Sequence, residues 1–326
     1  MRRHGAAFVP LIVVAAVLTV LPFVISSYHT YLVAVVGIFF IAILGLNILT
    51  GYTGQISIGH GAFMAIGGYT SAILTRDHHT NLILTMLIAF GICLIAGLLF
   101  GLPALRLSGV YLALATFALA ISIPFVTLQW GEYLGGTGGV QSSTQKGNAW
   151  LYGVAWATAA VLFALAWLIV RGRIGRAFRA VRDSEIAAVA SGVEIGIYKT
   201  LAFGISAAFC GAAGALYFMW LGGVGPQSFG VDLSLSLLVG AAVAGLGSLW
   251  GILAGAAFIG LLPTISQSVP VIGNAHGRNV VYGVLVIVVM LVAPDGFAGL
   301  LARLRSRVQG LNRESNTVKL HESSSQ

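Results

Sequence analysis

Residues 171–199 read RGRIGRAFRAVRDSEIAAVASGVEIGIYK, and nearly everything on either side of them is hydrocarbon-compatible. That contrast limits the folds available. Apolar runs of about 20 residues are long enough to cross a bilayer as helices, and a polar stretch of this length has to stay at the membrane surface. Only 8% of the 326 residues are charged and 58% are hydrophobic, whereas an ordinary soluble domain is about a quarter charged. The fold class read from this is all-α: a polytopic membrane helix bundle.

Ten runs reach or approach spanning length: Phe8–Ser26, Tyr31–Leu49, Gln55–Leu74, Asn81–Leu102, Leu107–Leu128, Trp150–Val170, Thr200–Leu221, Leu233–Leu246, Ile252–Gln267 and Val280–Ala293. The eighth and ninth are short enough to be half-helices. The opening MRRHG and its apolar run read as a retained first span, because the run is too long for a signal peptide and no small-residue cleavage site follows. Lys and Arg are retained on the cytoplasmic side. With the N-terminus inside and ten spans, 14 of the 17 basic residues fall inside and only Arg76, Lys146 and Arg278 fall outside. Both termini are therefore expected in the cytoplasm, together with the 171–199 loop. The permease domain is expected over residues 1–302, followed by a polar cytoplasmic tail over 303–326. The formal charge of +8 is topological and calls for no nucleic-acid partner.

The sequence also limits the energy source. The nine acidic residues fall in loops or at span ends in this topology, and a proton pump ordinarily carries an ionisable group inside the bundle; His60 is the one candidate. None of the three lysines, Lys146, Lys199 and Lys319, sits in a GxxxxGK[ST] loop, so ATP, if used, is bound by another chain. Cys93 and Cys210 lack disulfide or metal-site spacing, and no nucleophile/base pair marks an enzyme. No cofactor or metal is expected.

Two segments carry candidate function. Gly51–Tyr69, GYTGQISIGHGAFMAIGGY, places Gln55, Ser57 and His60 among glycines at membrane depth. Polar side chains there are costly unless paired or facing a cavity. Lining of a solute path and tight interhelical packing both fit these residues, and the same two readings hold for Thr116 in RLSGVYLALAT. The second segment is the island. Asp183-Ser184-Glu185 has the chemistry of a helix start, Ala187 and Ala188 are small enough for close approach, and Gly192 breaks the run. Ser191 and Glu194 have capping-box spacing for the next helix. A short surface helix from Asp183 to Gly192, fitting a partner's groove, is the expectation.

The chain resembles the permease subunits of branched-chain amino-acid ABC importers, of the LivM type, from about Tyr31 to Gly299. Four segments carry the resemblance: Gly51–Ala72, Arg106–Ala120, Gly175–Tyr217 and Gly245–Phe258. The third is the most specific. Val110, Asp295 and Phe297 depart from the family's pattern. The resemblance implies a type II ABC importer fold. It implies two ATP-binding subunits, a homologous second permease and an extracytoplasmic solute-binding protein as partners, in a bacterial-type inner membrane. It makes the stretch from Arg182 to Lys199 the loop that couples to the ATPase, and branched-chain amino acids, urea or short amides the solutes. A gradient-driven carrier or channel working alone is the alternative.

Overall fold

The computed structural model describes residues 26–107, 109–142 and 146–267, with isolated positions between 283 and 299. Helix α1, Ser27–Leu46, is apolar on every side and buried without interruption from Ala34 onward. Such a helix belongs at the centre of a bundle. It continues as a π-helical turn, Asn47–Tyr52. Next come α2, His60–His78, and α3, Leu82–Ala104. The N-cap of α3 is Asn81, whose side chain accepts the Ile83 N–H at 3.1 Å. Helix α4 is Val110–Gln129. A two-residue strand β1, Val140–Gln141, precedes α5, Asn148–Arg171.

The island is helical. Gly172 separates α5 from α6, Arg173–Asp183. Arg173, Arg176, Arg179 and Arg182 recur at helical spacing on α6, while Gly175, Phe178 and Val181 are buried. The Phe178 ring meets Tyr198 edge-on at 6.3 Å, which seats this amphipathic helix against the bundle. Helix α7, Glu185–Ala190, and the long α8, Ile195–Leu221, follow. Strand β2, Gly223–Val224, pairs antiparallel with β1, Val140 opposite Val224. Helices α9, Val231–Ala244, and α10, Ile252–Gln267, complete the described elements.

Helices α1 and α8 form the core, and α8 packs on α1, α2 and α3. Its glycines permit this. A Cβ at Gly211 would overlap Cys93, and one at Gly214 would overlap the Met64 carbonyl. Small residues at crossings let helices in a membrane approach to backbone contact. By contrast, α3, α4 and α5 expose Leu87, Ile95, Leu99, Phe125, Val161 and Leu168, apolar surface that suits lipid or another membrane subunit.

The bundle has two ends. At one, Asn148 donates to the Ser27 carbonyl at 3.2 Å, and the Trp220 indole donates to the Tyr31 carbonyl at 3.2 Å. At the other, the Arg182 guanidinium donates to the Gly51 carbonyl at 3.0 Å. Helix α1 with its π-turn, 26 residues, puts these ends on the order of 35–40 Å apart at about 1.5 Å per residue.

Six helical segments among the described residues are long and apolar enough to cross a membrane: Ser27–Tyr52, Leu82–Ala104, Val110–Gln129, Asn148–Arg171, Ile195–Leu221 and Pro226–Ala244. Among the described residues the count of ten is not reached. The expected first and last spans, Phe8–Ser26 and Val280–Ala293, and the tail from 303 lie outside the continuously described residues. The expected third span is not one helix, because residues 54–59 are non-helical and α2 begins only at His60.

Candidate functional site

Residues 54–59 run as irregular backbone between α1 and α2. Thr116 of α4 meets them in the interior, and Ser206 of α8 meets the adjoining His60. The segment is held from one side. Gln55, Ser57 and Gly59 are buried, whereas Gly54 and Ile56 are exposed. Thr116 Oγ1 accepts the Ile58 N–H at 3.0 Å and donates to the Ala113 carbonyl at 3.0 Å. Thr50 Oγ1 donates to the Gln55 carbonyl at 3.1 Å. Side-chain hydroxyls thus replace the helical hydrogen bonds that this stretch lacks. Gly59 is required here, since a Cβ would overlap the Thr116 carbonyl.

His60 sits at the centre of a fully partnered network. Ser206 Oγ donates its one hydrogen to the Gly45 carbonyl at 2.7 Å. Its contact with His60 Nε2 at 2.6 Å is therefore made as an acceptor, so the proton lies on Nε2. His60 Nδ1 then accepts from Ser57 Oγ at 2.9 Å, and Ser57 in turn receives the Gly59 N–H at 3.4 Å. The network joins α1, α2, α8 and the irregular segment. Of the two readings open at Ser57 and His60, both side chains have the partners that packing requires, and the free edge of the segment is Gly54 and Ile56.

Gln55 is the third inward residue. Its Nε2 donates to Thr53 Oγ1 at 3.1 Å and to the Lys199 carbonyl at 3.3 Å, in the first turns of α8. Asp232 is a further acidic residue near the bundle. It lies in the first turn of α9, exposed and inside the Pro226–Ala244 span candidate. The sequence alone places it at the span edge, because the turn at Pro226–Phe229 that begins the span is not legible as helix. Among the described residues no three His, Cys, Asp or Glu side chains group as metal ligands do.

At the island, the surface helix is shorter than expected. It is Glu185–Ala190 rather than Asp183–Gly192, and Asp183 ends α6. Ser184 is its N-cap, accepting the Ala187 N–H at 3.3 Å. Gly192, with φ of +79°, turns the chain after it. The capping box across Ser191 and Glu194 does not form. Ser191 instead donates to the Ala187 carbonyl at 2.9 Å, closing α7 rather than opening α8. Lys199 Nζ pairs with Glu185 at 2.7 Å, fixing α7 to α8.

The outward face of α7 also differs from expectation. Ala187 is exposed, but Ala188 is 2% exposed and packs against its own chain, while Ile186 is 86% and Val189 59% exposed. Two large apolar side chains, three residues apart on one helix face, project from a polar island. The signal was present in EIAAVA as the two bulky residues at that spacing. Arg182 points the other way, into the bundle at Gly51, with Asp183 Oδ1 3.0 Å from its Nε.

A family model described as "Branched-chain amino acid transport system / permease component" matches residues 28–293. The chain is similar to the high-affinity branched-chain amino acid transport system permease protein LivM of Escherichia coli strain K12, at 29% identity, covering 84% of this chain and 71% of the relative. It is equally similar to the LivM protein of Salmonella typhimurium strain LT2, again at 29% identity and with the same coverage. No solved structure matches.

Proposed function

The chain belongs to the family of branched-chain amino acid transport permease components, a multi-pass membrane transporter subunit rather than a catalytic enzyme, and from this we propose that it is the permease of an ATP-driven ABC importer. Its partners in this reading are two ATP-binding subunits, a homologous second permease and an extracytoplasmic solute-binding protein. The solute is a branched-chain amino acid or a related small polar molecule, with urea or short amides as the alternative. The permease occupies residues 1–302 and a polar tail 303–326, with both termini and the island in the cytoplasm of an inner membrane.

One observation carries the reading: the exposed Ile186 and Val189 on α7. Apolar side chains on a water-facing polar island are buried when a partner covers them. Ser184 caps α7, Glu185 and Lys199 brace it, Ala188 seats it and Gly192 ends it, so that a rigid turn of helix presents Ile186, Ala187 and Val189 to the ATPase. The solute path runs along residues 54–59. Irregular backbone carries polar groups that must be buried by protein or meet water, and the exposure of Gly54 and Ile56 at the island end of the bundle supports the second. Gln55, Ser57, His60 and Thr116 border this path and hold its shape.

Ile186→Asp and Val189→Asp test the assignment directly. Both residues are exposed, so membrane insertion is expected to survive while co-purification of the ATPase and uptake in vesicles fall together. Retention of the ATPase by both variants refutes docking through α7. Gradient-driven uptake by the purified chain alone decides for the stand-alone carrier.

A further inference from the structure

Two side-chain ties join the island to residues 51–55, where the irregular segment begins. The first is Arg182, in the last turn of α6. Its Nη1 donates to the Gly51 carbonyl at 3.0 Å, and Asp183 Oδ1 holds its Nε and Nη2, each at 3.0 Å. The fork is therefore aimed by its neighbour and delivers a charge-assisted bond to a backbone acceptor. Gly54 and Gly247 leave room for it. A Cβ on Gly54, where φ is +72°, would stand 3.1 Å from Arg182 Cγ. A Cβ on Gly247, where φ is +79°, would stand 3.0 Å from Nη1, and one on Gly51 would overlap Asn47 and Gly247. The second tie is Gln55, which bonds the Lys199 carbonyl at 3.3 Å while Lys199 Nζ holds Glu185 at 2.7 Å.

Both ties land on residues 51–55, immediately before the exposed Ile56. The acceptor at Gly51 lies in the π-helical turn, a form of helix found mostly as single turns and often at functional sites. We infer that Arg182 is a positioning residue that transmits movement of α6–α7 to the irregular segment, with Gln55 as the second link, and is not itself a contact for the ATPase. The inference rests on the proposed docking of an ATPase at α7. It adds a mechanical route inward: a shift of α7 carries Arg182 and Lys199 with it, and these move the Gly51 and Gln55 backbone and so the open edge at Ile56.

The test needs no knowledge of the solute. Ile56→Cys is made in a chain whose Cys93 and Cys210 are replaced by Ser, and the complex is purified with its ATPase. Thiol labelling is compared without nucleotide and with ATP plus vanadate. With Arg182 intact, the two states are expected to label at different rates. Arg182→Met is expected to abolish that difference with the ATPase still bound, and Arg182→Lys to restore part of it. Three results overturn the inference: no nucleotide-dependent difference with Arg182 intact, the same difference in Arg182→Met, or loss of the ATPase from Arg182→Met. Loss of the ATPase from the Arg182-intact chain refutes the docking proposal instead. Should Arg182→Met fail to accumulate in the membrane, Gln55→Leu cuts the second link and is judged by the same outcomes.

Discussion

At the scale of single residues, the polar groups around His60 are matched donor to acceptor. Ser206 shows this best, because one hydroxyl accepts from His60 and donates to the Gly45 carbonyl. Ser206→Ala removes both bonds at once. Each buried group stranded without a partner costs about 1–3 kcal/mol, so the variant complex is expected to lose its fold in detergent at a clearly lower temperature than wild type. An unchanged unfolding midpoint contradicts the network as described. The residue types of this network were legible in GYTGQISIGH, where a serine stands three positions before a histidine. The partners were not, because Ser206 lies 146 residues further along the chain than His60, and no local pattern encodes a meeting at that separation.

At the scale of elements, periodicity was readable wherever water and hydrocarbon met on one helix. The arginines three apart on α6 and the two bulky residues three apart on α7 follow from that contrast. Hydropathy misread residues 54–59 as the start of a helix. It measures transfer from water, whereas what breaks this backbone is the replacement of helical hydrogen bonds by Ser57 and Thr116 hydroxyls. The capping box failed because Ser191 closes α7 at the Ala187 carbonyl and Glu194, not Ser191, stands at the N-cap of α8. Glycine in α8 reads as a packing residue in both sequence and structure, which gives a sharp expectation. Gly211→Leu drives a side chain into Cys93 and the Ala89 carbonyl, and forced overpacking typically costs about 1–3 kcal/mol or more. The variant is expected to accumulate poorly in membranes, while Gly153→Leu on α5, whose Cβ position is open, accumulates normally. Equal accumulation of the two contradicts the α8–α3 crossing.

At the scale of the whole molecule, the helical class and the membrane setting follow from composition, but the arrangement around α1 and α8 does not. Asn47 illustrates the difficulty. Its carboxamide binds the Gly247 N–H at 2.8 Å and the Ser248 carbonyl at 2.7 Å, joining the π-turn that continues α1 to the α9–α10 turn about 200 positions away. The orientation in the membrane joins sequence to structure. Arg106 lies at the island end, because neighbouring Leu105 approaches Gly196 at the start of α8. Arg171, Arg173, Arg176, Arg179, Arg182 and Lys199 lie there too, whereas Arg76 and Lys146 lie at the end that carries β1 and β2. Retention of basic residues on the cytoplasmic side then supports the proposed orientation, with α7 in the cytoplasm and the β1–β2 pair outside. Cysteines at Gly138 and Ala190, in the background lacking Cys93 and Cys210, make the measurement. Both positions are exposed, and Gly138 has open space for a side chain. Ala190 is preferred to Ser184, whose hydroxyl caps α7. An impermeant thiol reagent applied to intact cells is expected to label Gly138→Cys and to reach Ala190→Cys only after the membrane is opened. Labelling of both from outside contradicts the two-ended arrangement, and labelling of Ala190→Cys alone inverts the orientation and removes α7 from the reach of any cytoplasmic ATPase.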